Sequence, residues 1–363
     1  MSEVSHEKIE AALEKVMDPH VDLSLVESKA VKDIRIDGDA VSIDLQVGYP
    51  CERWADTLKT MVNESLAEHA QVSNAAITVS HNIIAHSVQH GVKRLNNVKN
   101  IIADASGKGG VGKSTTSVNL ALARASEGAT VGLLDADIYG PSQPRMMGLS
   151  GQPESVDGKS LEPMENYGVQ TMSIGFLIDE ETPMIWRGPM VTQALEQLLN
   201  DTKWRDLDYL IIDLPPGTGD TQLTLAQKVP VSGAIIVTTP QDIALLDARK
   251  GLKMFEKVEV PILGIVENMS THICSQCGHE EHIFGEGGGR TMASDADIDL
   301  LGSLPLEMNI RLHADTGKPT VVSEPNGRTA EIYREIARRA AARLSRQAKD
   351  YSSKFPNIVI QNT

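Results

Sequence analysis

Nine consecutive residues, Gly107, Lys108, Gly109, Gly110, Val111, Gly112, Lys113, Ser114 and Thr115, set glycines, lysines and hydroxyls at the spacing GxxxxGK[ST] of a phosphate-binding P-loop. Glycines let successive backbone N–H groups turn inward around phosphates, Lys113 places a cation on the outer ones, and Ser114 offers a hydroxyl to Mg2+. The stretch reads as a nucleoside triphosphate site. Lys108 is a second cation inside the loop, which the bare pattern does not require. The flanks agree: residues 100–103 are a short apolar run, and Val118, Leu120, Ala121, Leu122 and Ala125 recur at helical spacing behind Ser114.

Phosphoryl chemistry also needs carboxylates. Asp213 follows the apolar run 209–212 and leads into Leu214, Pro215, Pro216 and Gly217. A carboxylate there can hold the Mg2+ hydration shell while Gly217 brings a backbone N–H to the γ-phosphate. Asp137 follows the run 131–134 and is placed to orient or deprotonate the attacking water, with Asp135 as the structural member of the pair. The alternative for Asp213 and Asp137 is the capping of a turn. The Asn-Lys-x-Asp motif that reads guanine is absent, whereas Asn268 can meet an adenine edge with its amide. The expected ligands are ATP and Mg2+.

Three cysteines, Cys51, Cys274 and Cys277, are too few for a disulfide framework in 363 residues, so reduced thiols are expected. Cys274 and Cys277 form a CxxC pair in a polar, glycine-rich segment. Two thiolates are half the usual complement of a [4Fe-4S] cluster. His272, His279 and His282 stand close enough to leave a Cys2His2 zinc site open, although the His279 to His282 spacing is short for one; otherwise these histidines are surface residues. Cys51 begins a helix expected over 52–69, whose N-terminal dipole favours a thiolate; the other reading is a buried, apolar-like cysteine.

The elements that must position these residues follow two patterns. Residues 1–80 form a small α+β domain: helix 7–17, strands 31–36 and 40–47, helix 52–69 and strand 76–79, with Val41, Ile43, Leu45 and Val47 alternating as in a half-buried strand. Residues 81–99, polar and carrying Asn and His, read as a linker. Residues 100–347 form an α/β domain, with strands 131–134, 169–174, 209–212, 234–237, 262–266 and 300–304 separated by helices such as 190–199 and 243–257. That is a mostly parallel sheet covered by helices on both faces. Ligands in such sheets sit beyond the carboxyl ends of the strands, and Gly107, Asp137, Asp213 and Asn268 each follow one. The arginine-rich stretch from Arg328 repeats Ile332, Ile336, Ala340 and Leu344, and reads as a helix closing the sheet rather than one lying on a membrane. Met146, Met147, Met164, Met172, Met184 and Met190 read as core filling, Trp186 and Arg187 as part of a candidate dimer face, and 348–363 as a flexible tail.

A net charge of -15 argues against non-specific nucleic-acid binding, which needs cations to displace phosphate counterions. No apolar run approaches a bilayer span, and the first residues are acidic and polar rather than a basic leader. Cytoplasmic location and protein partners are expected, with no stable membrane association.

Together the Lys108-containing loop, residues 135–142, residues 213–220 and the CxxC pair resemble the Mrp/ApbC group of P-loop ATPases, iron-sulfur cluster carriers related to the MinD and ParA proteins. Residues 99–344 look like the ATPase and 7–80 like the iron-sulfur assembly domain fused ahead of it in bacteria. The resemblance implies a homodimer in which Lys108 reaches the twin subunit's nucleotide, as an arginine finger does. It further implies that Cys274 and Cys277 of two subunits share a labile [4Fe-4S] cluster destined for apo iron-sulfur proteins. A cysteine placed like Cys51 is thought to assist cluster handling.

Overall fold

β-Branched and apolar alternation builds the first sheet. The computed structural model describes residues 4–38, 40–178, 188–274 and 276–349. After α1 (His6–Leu13), β1 (Val31–Asp37) and β2 (Ala40–Val47) form an antiparallel pair, and β3 (Ala75–His81) joins β2 in parallel through α2 (Ala55–His69). Val41, Ile43, Leu45 and Val47 are buried with Ile9 and Leu13 of α1 and Leu58, Val62 and Leu66 of α2. Both helices are shorter than expected. Val16 turns its N–H back to the Leu13 carbonyl at 3.2 Å, ending α1 early, and residues 52–54 form a turn before α2.

The second domain strings β4 (Val98–Ala105), α3 (Lys113–Ser126), β5 (Val131–Asp135), β6 (Met164–Asn166), β7 (Val169–Ser173), α4 (Gly188–Asp201), β8 (Leu207–Asp213), α5 (Asp220–Lys228), β9 (Gly233–Thr238), α6 (Asp242–Lys257), β10 (Ile262–Glu267), β11 (His272–Ile273), β12 (Glu280–Glu281), α7 (Gly288–Asp295), β13 (Leu300–Ser303), α8 (Met308–Asp315) and α9 (Arg328–Ser345). Eight strands make one sheet in the order β13-β10-β9-β4-β8-β5-β7-β6, parallel except for the β6 and β7 pair. Strands buried on both faces need near-continuous apolar sequence. Ile102, Leu133 and Ile211 lie in one core with α3 and α9, while Ile101, Leu134 and Ile212 lie in the other with α4 and α6.

Alanines and Ile336 of α9 are buried, so this arginine-rich helix closes the sheet against α3. Among the described residues no helix is long and apolar enough to cross a membrane. The stretch between the domains is packed: Gln89 is buried and donates to the Ala226 carbonyl at 2.7 Å, and the Ser87 N–H donates to the Ala348 carbonyl at 2.9 Å. Met147 and Met172 fill the core as expected, whereas Met190 is exposed; Met184, Trp186 and Arg187 lie outside the described residues.

Candidate nucleotide site and cysteine hairpin

The ends of β4, β5, β8 and β10 bring the loop, Asp137, Asp213 and Asn268 to one edge of the sheet. The loop glycines do different work. Gly110 and Gly112 take φ of 83° and 80°, which a side chain resists. Gly107 leaves room for α6, since a Cβ there would stand 2.1 Å from the Asp247 carbonyl carbon. Lys113 begins α3, so the free N–H groups of the first helical turn face the loop. Its ammonium pairs with Asp213. Lys108 is half-buried and, among the described residues, engaged in no ion pair.

Buried Asp213 also accepts from Ser117 Oγ at 3.2 Å and from Gln143 Nε2 at 2.9 Å. The same Gln143 amide reaches the Ser114 carbonyl at 3.0 Å, so it braces the Asp213 carboxylate against the loop. Sequence reasoning missed Gln143, whose only signal was a polar residue just past the Asp135 to Ser142 segment. Asp135 organises that segment, accepting N–H bonds from Ser142 at 2.9 Å and Gln143 at 3.0 Å. Burial, then the Asp213 charge, pushes its carboxyl up to about 7. Asp137 is half-buried and lines a recess of about 210 Å³ with Lys108 and Ser114. Burial raises its carboxyl above the ordinary value, with Lys113 opposing and Asp213 adding to the rise.

Two expected nucleotide contacts have other partners. The Gly217 N–H donates to the Ser106 carbonyl at 2.9 Å, tying the β8 loop to the P-loop. Asn268 donates its amide to the Val111 carbonyl at 2.9 Å and accepts the Met269 N–H at 2.9 Å, which makes it an anchor of the phosphate loop rather than a free reader of a base edge. Beside it opens a cavity of about 920 Å³, lined in part by Gly112, Thr115, Met269, Pro305, Leu306 and Ile310. Sharing Gly112 and Thr115 with the phosphate recess, it continues the same site. The residues after β13 that form its far wall carry no motif that sequence reasoning could have used.

β11 and β12 pair as a hairpin whose tip carries the cysteines; Ser275 lies outside the described residues. The Cys274 N–H donates to the His279 carbonyl at 2.9 Å and the Gly278 N–H to the Cys274 carbonyl at 2.8 Å, a tight knuckle. Backbone N–H groups of Gln276 and Cys277, then the Cys277 thiol, hold the Cys274 thiol below its ordinary value. Thiolate is the metal-binding form. His272 donates Nδ1–H to the Leu306 carbonyl at 3.0 Å and His282 donates Nδ1–H to the Ser270 carbonyl at 3.1 Å. His272 is a half-buried strap rather than a surface residue, whereas His282 makes its bond while remaining exposed, as expected of a surface residue. Among the described residues no group of three or more His, Cys, Asp or Glu side chains is arranged to hold a metal ion.

Cys51 corrects the thiolate reading. It is 1 % exposed. Burial, followed by the charges of Glu127, Asp18 and Glu52, pushes its thiol up to about 12, and α2 starts only at Ala55, too late for its dipole to act on Cys51.

Residues 97–341 match the ParA family, described as NUBPL iron-transfer P-loop NTPase, and residues 6–79 match the iron-sulfur cluster assembly protein family. The chain is 58 % identical over 279 residues to an iron-sulfur cluster carrier protein of Pseudomonas fragi, covering 76 % of this chain and 97 % of that one. It is 49 % identical over 340 residues to the iron-sulfur cluster carrier protein of Escherichia coli K12, covering 93 % and 91 %. Among solved structures it resembles an ADP-bound nucleotide-binding protein of Archaeoglobus fulgidus, with TM-score 0.57, 38 % identity and coverage of 64 % of this chain and 91 % of that one.

Proposed function

This chain belongs to the ParA family of NUBPL-type iron-transfer P-loop NTPases, with an iron-sulfur cluster assembly domain ahead of the NTPase, and from that premise we propose that it is an ATP-hydrolysing homodimeric carrier of a labile [4Fe-4S] cluster. The cluster is cargo, passed on to apo iron-sulfur proteins. One observation carries the reading: a knuckle that favours thiolate but offers two thiols, with no third donor assembled among the described residues. A [4Fe-4S] cluster takes four thiolates, and two copies supply them. Among the described residues no donor set for a zinc site within one chain is assembled.

The nucleotide's phosphates fit the loop recess and its adenosine the larger cavity. Ser114 and Asp213 offer oxygen donors, the kind Mg2+ takes directly or through its water shell; when bound, the ion would neutralise phosphate charge. Lys113 exchanges its bond to Asp213 for phosphate oxygens. Asp137, with its carboxyl raised, accepts a proton from the water whose oxygen attacks the γ-phosphorus as ADP leaves. Lys108, free of ion pairs among the described residues, is available to the nucleotide of a second copy. Support for the paired state comes from the flank between loop and hairpin. There Ile243 and Leu246 of α6 are 64 % and 57 % exposed and Ile283 is 53 % exposed, and the Gly285 turn packs on Pro240 just ahead of α6. Contiguous exposed apolar residues mark a binding surface.

The test is anaerobic reconstitution with iron and sulfide of the native chain and of a Cys274→Ala, Cys277→Ala double variant. The native dimer should take up cluster absorbance that the double variant lacks while keeping its phosphate release. Equal loading in both removes the carrier reading.

A further inference from the structure

The wall of the nucleotide cavity and the stem of the cysteine hairpin are one piece of backbone. From β10 the chain passes Asn268, bound to the P-loop carbonyl of Val111, then Met269, which lines the cavity with φ of 55°, and reaches Cys274 after five more residues. Alongside runs the segment after β13. The Ser270 N–H donates to the Leu304 carbonyl at 2.9 Å and the Leu306 N–H to the Thr271 carbonyl at 2.7 Å, while Pro305 and Leu306 themselves line the cavity. His272 closes this arrangement. It lies two residues before Cys274 on β11, and its ring holds the Leu306 carbonyl at 3.0 Å.

We infer that His272 is a positioning residue that ties the base cavity to the cysteine hairpin, so that nucleotide occupancy sets the geometry and exposure of Cys274 and Cys277. This rests on the carrier reading and adds to it the means by which nucleotide reaches the cargo site. A ligand wedged between Met269 and Leu306 must move or stiffen the paired segments 268–272 and 304–306, and the His272 bond carries that change into β11. Coupling between two sites is reciprocal and typically amounts to about fivefold or more in an equilibrium.

The experiment needs no cluster. The metal-free chain is alkylated with iodoacetamide with and without saturating ADP, and labelling of Cys274 and Cys277 is followed by mass spectrometry; ADP lacks the γ-phosphate that a second copy's Lys108 would meet. In the native chain ADP should change the labelling rate by about fivefold or more. In His272→Ala the ratio should fall by at least about half towards one, the continuous backbone and the His282 bond to Ser270 remaining, with ADP affinity within about threefold of native showing that the fold and cavity persist. His272→Gln, which keeps an N–H donor, should regain much of the ratio. His279→Ala should leave the ratio unchanged, because that ring is exposed and bonds nothing in the cavity wall. A native ratio of one, or an unchanged ratio in His272→Ala, overturns the inference. Neither result bears on whether the cysteines load a cluster, which the reconstitution decides separately.

Discussion

At the residue scale the two loop lysines make opposite demands on an assay. Lys113 sits against Asp213 at the mouth of α3, where it meets the phosphates of its own subunit, so Lys113→Ala should weaken nucleotide binding by about tenfold or more, read by equilibrium ADP titration. Among the described residues Lys108 has no partner of that kind. Lys108→Ala should leave ADP affinity within about threefold yet slow steady-state phosphate release by about 10³-fold, the lower end of what a cation supplied across an interface contributes. Phosphate release at the native rate in Lys108→Ala sinks the in-trans role. Cys51 makes a third case. With its thiol pushed up to about 12, its thiolate fraction near neutral pH lies about 10³-fold below that of an ordinary thiol. Iodoacetamide should therefore modify Cys274 and Cys277 long before Cys51 in the folded chain, and equal rates at all three would show that the first domain does not hold Cys51 as described.

Elements explain why some of this was legible in sequence and some was not. The P-loop was readable because Gly110 and Gly112 answer a local demand of the backbone, but Gly107 answers a distant one, the approach of α6. Gly107→Ala should destabilise the chain by about 1–3 kcal/mol in denaturant unfolding, whereas Gly140→Ala, whose Cβ meets nothing within 4 Å, should stay within about 0.5 kcal/mol. Equal effects would mean that α6 yields to the added methyl. Strands β4, β5, β8, β9 and β10 could be placed from sequence because strands buried on both faces must be apolar throughout. Gln143 and the wall formed by Pro305 and Leu306 could not, since a buried amide and a backbone ladder leave no periodicity behind. The His272 strap escaped for the same reason: a histidine that bonds a carbonyl looks, in sequence, like one that bonds a metal or nothing. Of the two readings open for Cys51 in the sequence, the structure takes the buried, apolar-like one, because the residue joins the first core rather than a helix N-terminus.

At the scale of the whole molecule, the two domains meet over a buried ionic seam that makes stability depend on pH. The Glu127 carboxylate, at the end of α3, accepts the Arg53 N–H at 2.8 Å and Arg338 Nη1 of α9 at 2.7 Å; Arg338 also stands over the Trp54 ring at 5.2 Å. His20 of the first domain faces Asp18 at 3.2 Å and Glu335 of α9 at 2.9 Å. Burial lowers the His20 pKa, but Asp18 and Glu335 overcome it and leave it raised above 6.5. Arg338 Nε, at 3.2 Å from the same His20 nitrogen, competes with Glu335, yet two carboxylates outweigh one guanidinium. A raised histidine stabilises the fold fully below 6.5, and that contribution disappears as pH rises through the folded value. Asp104 and Asp135, both pushed up to about 7 by burial, act in the same sense, their contribution present below 3.8 and lost as they ionise near 7. Glu335, drawn down to about 2 by the His20 and arginine charges against the opposing effect of burial, sets the acid limb: its stabilisation is present above 4.5 and lost as pH falls towards 2. Denaturant midpoints should therefore fall as pH rises from about 4.5 to about 7, where Asp104 and Asp135 ionise, and fall further above 6.5 as His20 loses its proton, with a slope of at most about 1.4 kcal/mol per pH unit for each proton involved. Replacing His20→Gln should flatten the part of that fall lying just above pH 6.5 while leaving the Asp104 and Asp135 portion in place. A variant whose midpoints track the native chain across the whole range would mean that His20 is not charged in the seam, and that the two domains are held together by Arg338, Glu127 and the apolar contacts alone.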